Sequence, residues 1–268
     1  MTSTEVLRRT GLRNLSVNYD PAGAPDGSDV EGHWHVDSSV TPLAREAPGP
    51  PERDGAWETA CHLVSQYEFA DARILRAVYR GGDELLGRNM LLEGRFFGLR
   101  FYLGVRITGV IDEARDTRGG QEQVWGWCYQ TLRGHLEQGR LNYEVIKNLG
   151  TGQVAFRVTG YSRQAPIPNP VIRLGFRLFG RRAQRRFYRN TQRRMHHLVQ
   201  DARRGLPLPA PKVRTDGIVL APSGVRRHPL ERLALGWLHP GEPGSPVARG
   251  RLGREPTRPR PDRHGKER

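Results

Sequence analysis

Hydrophobic and polar residues alternate through the middle of the chain, and the period then changes. Leu99, Phe101, Leu103, Val105, Ile107 and Ile111 share one parity, while Arg100, Tyr102, Arg106 and Thr108 share the other. Period two with one oily face predicts a half-buried strand. Gln123 to Thr131 repeats the pattern, with Trp125, Trp127 and Tyr129 on one parity. Leu141, Tyr143 and Val145 open a third strand, and Val154, Phe156 and Val158 mark a fourth running towards Arg163. Turn chemistry separates them: Arg118-Gly119-Gly120, Gly134 with Gly139, and Asn148-Leu149-Gly150-Thr151-Gly152. Such short connections predict an antiparallel meander. Residues 72–79 and 88–97 are weaker strand candidates. Trp57, Ala60, Cys61 and Val64 are spaced for a short helix ahead of them.

After residue 169 the period lengthens. Asn169 suits a helix cap and Pro170 its first turn, where no amide bond is lost. Ile172, Phe176, Phe179, Ala183, Phe187, Thr191, Met195, Leu198 and Ala202 then follow steps of three and four. That is one apolar stripe on a helix, about 50 Å long at ~1.5 Å per residue if it runs unbroken to Arg204. Gly175 and Gly180 each weaken it by up to ~1 kcal/mol against alanine, which puts a candidate break near Gly180. An open sheet with one apolar face needs a cover, and this helix is the long apolar surface available. The predicted fold is α+β: a curved antiparallel β-sheet gripping a long C-terminal α-helix. Such an arrangement leaves room between sheet and helix for an apolar ligand.

The flanks read differently. Residues 1–55 form an irregular segment rich in turn clusters, with one short strand around Gly32-His33-Trp34-His35-Val36-Asp37. Residues 56–204 are the helix-grip domain. Residues 205–268 are a Pro/Gly/Arg-rich tail whose composition cannot offset its ordering entropy. Within that tail, Leu230 to Leu238 has the spacing of a short docking helix.

Composition narrows the function classes. Hydrophobic residues make up 36% of the 268 residues, with 32 glycines and 20 prolines. No stretch approaches the ~18 apolar residues of a membrane span, and no apolar run after a basic start marks a secretory signal. Two cysteines, Cys61 and Cys128, cannot build a disulfide framework or a cysteine-rich zinc site. The expected location is the cytoplasm, with inert buried thiols. The net charge of +15 is concentrated at the end of the chain. Residues 169–204 hold eleven arginines against the single acid Asp201. Arginine presents a planar fork suited to phosphate and carboxylate. Arg181, Arg182, Arg185, Arg186 and Arg189 are therefore candidate anion binders, for an anionic membrane surface or nucleic acid.

One run carries a resemblance. Gly126-x-x-Tyr129-x-Thr131-Leu132-x-Gly134-His135-x-Glu137-x-Gly139, with Tyr161-Ser162-Arg163 and an Arg/Gln-rich helix after it, looks like domain-of-unknown-function family nineteen-ninety. The resemblance spans residues 57–203. It implies kinship with the START and pollen-allergen-like helix-grip superfamily, whose members hold lipids, polyketides and similar molecules. It brings no established activity.

Candidate chemistry is sparse. His135 and Glu137 could act as acid and base in the mouth of a cavity, or could simply anchor their glycine-flanked turn. His33, His35 and Asp37 share a strand face, but no further metal ligand is identifiable. Trp125, Trp127 and Tyr129 form a row that could line a cavity or pack the core. Gly-rich phosphate loops of the nucleotide-binding kinds are absent, and His196-His197 reads as helix surface. The expected function is therefore a non-enzymatic binding domain for a small apolar or lipid-like molecule, without cofactor or metal. Trp127, Tyr129, Thr131, His135, Glu137 and Ser162 are its candidate ligand residues. The alternatives are an adaptor docking on a polyanion through the Arg-rich helix and tail, and an enzyme using His135 and Glu137.

Overall fold

The structure is a computed structural model that describes residues 7, 11–25, 34–96, 99–167, 170–223 and 236–237. Ten strands form one sheet: β1 (His35–Arg45), β2 (Leu75–Arg80), β3 (Asn89–Phe96), β4 (Leu99–Thr117), β5 (Gly120–Thr131), β6 (Glu137–Asn148), β7 (Gln153–Gln164), β8 (Lys212–Val213), β9 (Ile218–Ala221) and β10 (Gly236–Trp237). Their order is β1-β7-β6-β5-β4-β3-β2-β9-β8, with β10 beside β4. The expected meander is the unbroken run β2 to β7, every neighbouring pair antiparallel. A short helix α1 (Ala56–Ser65) and a long helix α2 (Pro170–Arg203) cover the concave face. The fold is α+β, a curved antiparallel sheet gripping a long helix.

Glycines let the sheet bend. A Cβ on Gly126 would lie 2.0 Å from the Tyr143 carbonyl oxygen, and one on Gly139 would lie 2.2 Å from that of Tyr161. Both sit in the motif run, where adjacent backbones cross too closely for any side chain.

The sheet has a core on each face. On the concave side Leu63, Val64, Tyr67, Phe69, Val105, Ile107, Trp127, Tyr143, Phe156, Phe187 and Met195 are buried together. Of the expected stripe of α2, Phe187, Thr191 and Met195 are buried, while towards its end Val199 takes the enclosed place and Leu198 and Ala202 are half-buried. Phe176 and Phe179 have side chains outside the described set. On the convex side Leu12 covers Val78, Leu91, Tyr102, Leu132 and Ile218. The Arg106 guanidinium donates to the carbonyls of Leu12, Arg13 and Leu15 at 3.0–3.1 Å. Tyr102 and Arg106, read as the polar parity of β4, are thus roofed by the chain's beginning.

Several expectations change in physical terms. A bulge between Ile107 and Gly109 shifts the β4 register, so Val110 and Asp112, not Ile111, stand opposite Trp127 and Trp125. Helix α2 runs through Gly180 without a break; good helix formers on both sides outweigh ~1 kcal/mol. The short strand foreseen in residues 1–55 is eleven residues long and pairs with β7 along its length. The segment read as tail after residue 204 contributes β8 and β9, which pair with each other and with β2. Of Leu230 to Leu238 the structure describes Gly236 and Trp237, which lie parallel to β4 as a strand rather than a helix. His33 and Asn169 lie outside the described residues.

Candidate functional site

The alternation of β5, β6 and β7 aims Trp127, Tyr129, Tyr143 and Phe156 into the space beneath the helices. Trp127 and Tyr143 approach to 5.0 Å between ring centroids, and Tyr129 and Tyr143 to 6.1 Å. Tyr67 enters from the other side, 6.1 Å from Trp127 and 6.3 Å from Tyr143.

Tyr67 arrives there by an unusual route. The end of α1 is closed by two reversed bonds, Tyr67 N to Val64 O at 3.2 Å and Glu68 N to Leu63 O at 3.0 Å. This is the Schellman arrangement, whose left-handed residue is usually glycine. Here that residue is Tyr67, at φ 62. A bulky residue held with positive φ is strained, and such strain concentrates at functional positions. No hydrophobic periodicity announces it, which is why the sequence reading passed over Tyr67.

The hydroxyls of Tyr67, Tyr129 and Tyr143 form a polar point in an oily interior. Burial pushes all three pKa values up, and each feels a neighbouring hydroxyl as well. The Glu137 carboxylate raises Tyr129 further. All three therefore remain neutral donors. The Tyr67 and Tyr143 hydroxyls are wholly buried and have only each other and Tyr129 as polar company, without a well-formed hydrogen bond. A buried donor without an acceptor costs about 1–3 kcal/mol.

The other candidates occupy distinct places. Trp127 donates its indole N–H to the Val64 carbonyl at 3.1 Å and so pins α1 to β5. Thr131 Oγ1 donates to Asn18 Oδ1 at 2.6 Å and accepts from Gly139 N at 3.0 Å. His135 Nδ1 accepts from the Glu137 amide at 2.9 Å. Asn18 Nδ2 donates to the Glu137 carbonyl and Gln138 Nε2 to the Asn18 carbonyl. The Gly-His-x-Glu-x-Gly turn thus clasps residue 18 against the sheet. Ser162 faces inward and accepts from Gln184 of α2 at 3.2 Å. Its neighbours face outward, where Tyr161 meets Trp34 edge-on at 5.3 Å and Arg163 lies 4.3 Å over the Trp34 ring. Tyr129 and Glu137 thus approach the tyrosine cluster, while Thr131, His135 and Ser162 serve neighbouring joints. His35 is exposed, and no group of three or more metal-ligating side chains occurs among the described residues.

Residues 18–194 match the sequence profile of the family described as Domain of unknown function (DUF1990). The chain belongs to this family. The match begins at Asn18, the residue the motif turn clasps, and ends within α2. No curated relative matches the chain. Among solved structures, Ara h 8.0201 is 10% identical, covering 63% of this chain and 99% of its own at a TM-score of 0.35. A norcoclaurine synthase point mutant from Thalictrum flavum is 12% identical, covering 63% and 96% at 0.40. The major latex-like protein 151 of Panax ginseng is 10% identical, covering 62% and 97% at 0.37. Scores this low add no weight to what the strand order already shows.

The arginine candidates of this DUF1990 protein lie on α2. Arg182, Arg185, Arg186 and Arg189 are exposed; the Arg181 side chain is outside the described set. Of the arginines on α2 with described side chains, Arg194 pairs with Glu68, and just past the helix end Arg204 pairs with Asp201. No helix among the described residues is long and apolar enough to cross a membrane.

Proposed function

We propose that this protein is a non-enzymatic binder of a small molecule with an apolar body and a hydrogen-bond acceptor, such as a lipid-like carboxyl or carbonyl compound. The observation that carries this reading is the pair of buried hydroxyls on Tyr67 and Tyr143, which interact with each other but complete no well-formed hydrogen bond. They stand beside Tyr129 in a largely apolar interior. An acceptor oxygen placed among them would complete their bonds while its apolar remainder lay against the helix stripe. Catalysis by the same groups is disfavoured, because raised phenol pKa values oppose the nucleophilic phenolate. His135 supports the same view, since its Nδ1 is occupied by the Glu137 amide.

The test compares the full chain with a Tyr67→Phe/Tyr143→Phe double variant, by native mass spectrometry and by displacement of a fluorescent fatty acid. The expected outcome is binding by the wild type, weakened roughly tenfold or more in the variant, with folding stability equal or higher. Equal uptake by both proteins, or none by the wild type, would overturn the reading.

A second reading, docking on an anionic surface through Arg182, Arg185, Arg186 and Arg189, draws on their exposure and on the lack of carboxylate partners for them among the described residues. Membrane or nucleic-acid binding of this kind falls steeply with salt. Association unchanged between low and high ionic strength would sink it.

A further inference from the structure

Between the edge strand β1 and the second half of α2 runs an open groove of about 240 Å³, lined by Thr41, Arg189, Gln192, Arg193, His196 and His197. Two rows of α2 side chains build it. Gln192, His196 and Gln200, spaced four apart, fasten the helix to the strand. Gln192 Nε2 donates to Ser39 Oγ at 2.5 Å, His196 Nδ1 to the Pro42 carbonyl at 3.1 Å, and Gln200 Nε2 to the Leu43 carbonyl at 2.6 Å. Arg189, Arg193 and His197, also four apart, form the adjacent row on the same helix face.

The second row is left uncommitted. Neither Arg189 nor Arg193 has an ion-pair partner among the described residues, and both are exposed. No carboxylate lines the groove. The one acid of α2, Asp201, faces Arg204 at 3.7 Å. Thr41 adds a half-buried hydroxyl from the strand side. With Nδ1 of His196 donating to Pro42, its other ring nitrogen is an acceptor in the neutral imidazole, so His196 fastens the helix and adds no donor to the groove.

We propose that this groove binds a phosphate group. Two guanidinium forks, the Thr41 hydroxyl and the His197 imidazole offer more donors than the two oxygens of a carboxylate can use. The three terminal oxygens of a phosphate monoester match them better. The volume falls below the ~300–1,000 Å³ of pockets that enclose whole drug-sized ligands. The groove therefore takes the charged group and leaves the rest of its carrier outside. The carrier is a soluble phosphate compound or the head group of a lipid, and both present the same oxygens. The site shares Arg189 with the anionic-surface reading but does not need it: a groove for one phosphate stands even if the wider helix face docks on nothing.

The experiment uses the full chain, an Arg189→Gln/Arg193→Gln variant and a charge-matched Arg203→Gln/Lys212→Gln control, the latter pair being exposed and away from the groove. Inorganic phosphate is titrated while amide shifts near Thr41 and His197 are followed. Phosphatidylcholine vesicles with and without phosphatidic acid are sedimented with each protein. The expected result is saturable phosphate shifts, or phosphatidic-acid-dependent sedimentation, weakened roughly tenfold or more in the groove variant and within about twofold in the control. Loss with phosphate alone assigns a soluble carrier; loss with vesicles alone assigns a lipid head group. Equal weakening in both variants, or no groove-dependent signal in either arm, overturns the proposal.

Discussion

Two glutamates are buried at opposite edges of the sheet, and the protein treats them differently. At the β1–β7 edge, burial pushes the Glu46 carboxyl up, but its surroundings more than reverse this. Lys147 Nζ donates to it at 2.7 Å, Trp57 N at 2.7 Å and Glu52 N at 3.3 Å, so its pKa ends below the usual carboxylate value. Near the β2–β9 edge, burial pushes Glu68 up and the compensation is partial. Ser223 donates its amide at 2.9 Å and its hydroxyl at 3.0 Å, while the Arg194 guanidinium stops at 3.5 Å. Its pKa ends above the usual value. The contrast shows that burial alone does not decide the charge state of a carboxyl group. A close, fully enclosed ammonium settles Glu46 as an anion. A more distant, partly wet guanidinium leaves Glu68 in tension. The joint at Glu46 fixes the start of α1, whose Trp57 amide it caps. The joint at Glu68 ties the segment after β9 to α2 and is the weaker of the two.

The largest expected effect comes from removing the ammonium. Lys147→Met strands Glu46 as a buried anion and deprives the Pro50 carbonyl of its 2.7 Å donor. Unfolding by urea should show a loss of about 3–5 kcal/mol. Adding Glu46→Gln to that variant should recover a substantial part, because the uncompensated charge is gone. A loss below ~1 kcal/mol in the single variant would mean that the two edges do not differ as described. The matching change at the other edge is milder. Glu68→Gln keeps an acceptor for the Ser223 amide and removes a charge that burial disfavours. Its stability at neutral pH should lie within about 1 kcal/mol of wild type on either side.

Much of the frame was legible because local rules produced it. Alternation at Leu99–Ile107 and Trp125–Tyr129 placed strands, and the stripe running from Ile172 through Phe187, Thr191 and Met195 to Ala202 placed the helix. The motif run from Gly126 to Gly139 was legible as a family mark, and the crossing backbones explain its glycines. What stayed hidden depends on distance along the chain or on backbone conformation. Nothing in the sequence joins Lys147 to Glu46, because 101 residues separate them. The bulge at Gly109 reverses the faces of β4 without any change in composition. The left-handed turn that delivers Tyr67 to the tyrosine cluster occurs at a residue type that normally avoids it. Among the candidate ligand residues that parity and motif singled out, Trp127, Tyr129 and Glu137 lie at or near the tyrosine cluster. The partners of Tyr129 in the cluster, Tyr67 and Tyr143, became visible only when three segments met.

The finest distinction between the two edges is the sign of their pH dependence. Glu68 holds its proton more tightly when folded than when unfolded. The stability this brings is fully present below the ordinary carboxylate range, and it is lost as pH rises through the raised folded value. Glu46 behaves in the opposite sense: its contribution is present above the ordinary range and is lost as pH falls through its depressed folded value. Acidification from neutral should therefore bring a small gain first, attributable to Glu68, and a loss at lower pH, attributable in part to Glu46. Urea midpoints measured across this range for the wild type, Glu68→Gln and Glu46→Gln separate the two. The first variant should lose the gain and keep the loss, and the second should do the reverse. Each change is of the order of 1 kcal/mol per pKa unit of displacement. If Glu68→Gln retains the wild-type gain, some other group supplies it, and Glu68 is then as well compensated as Glu46.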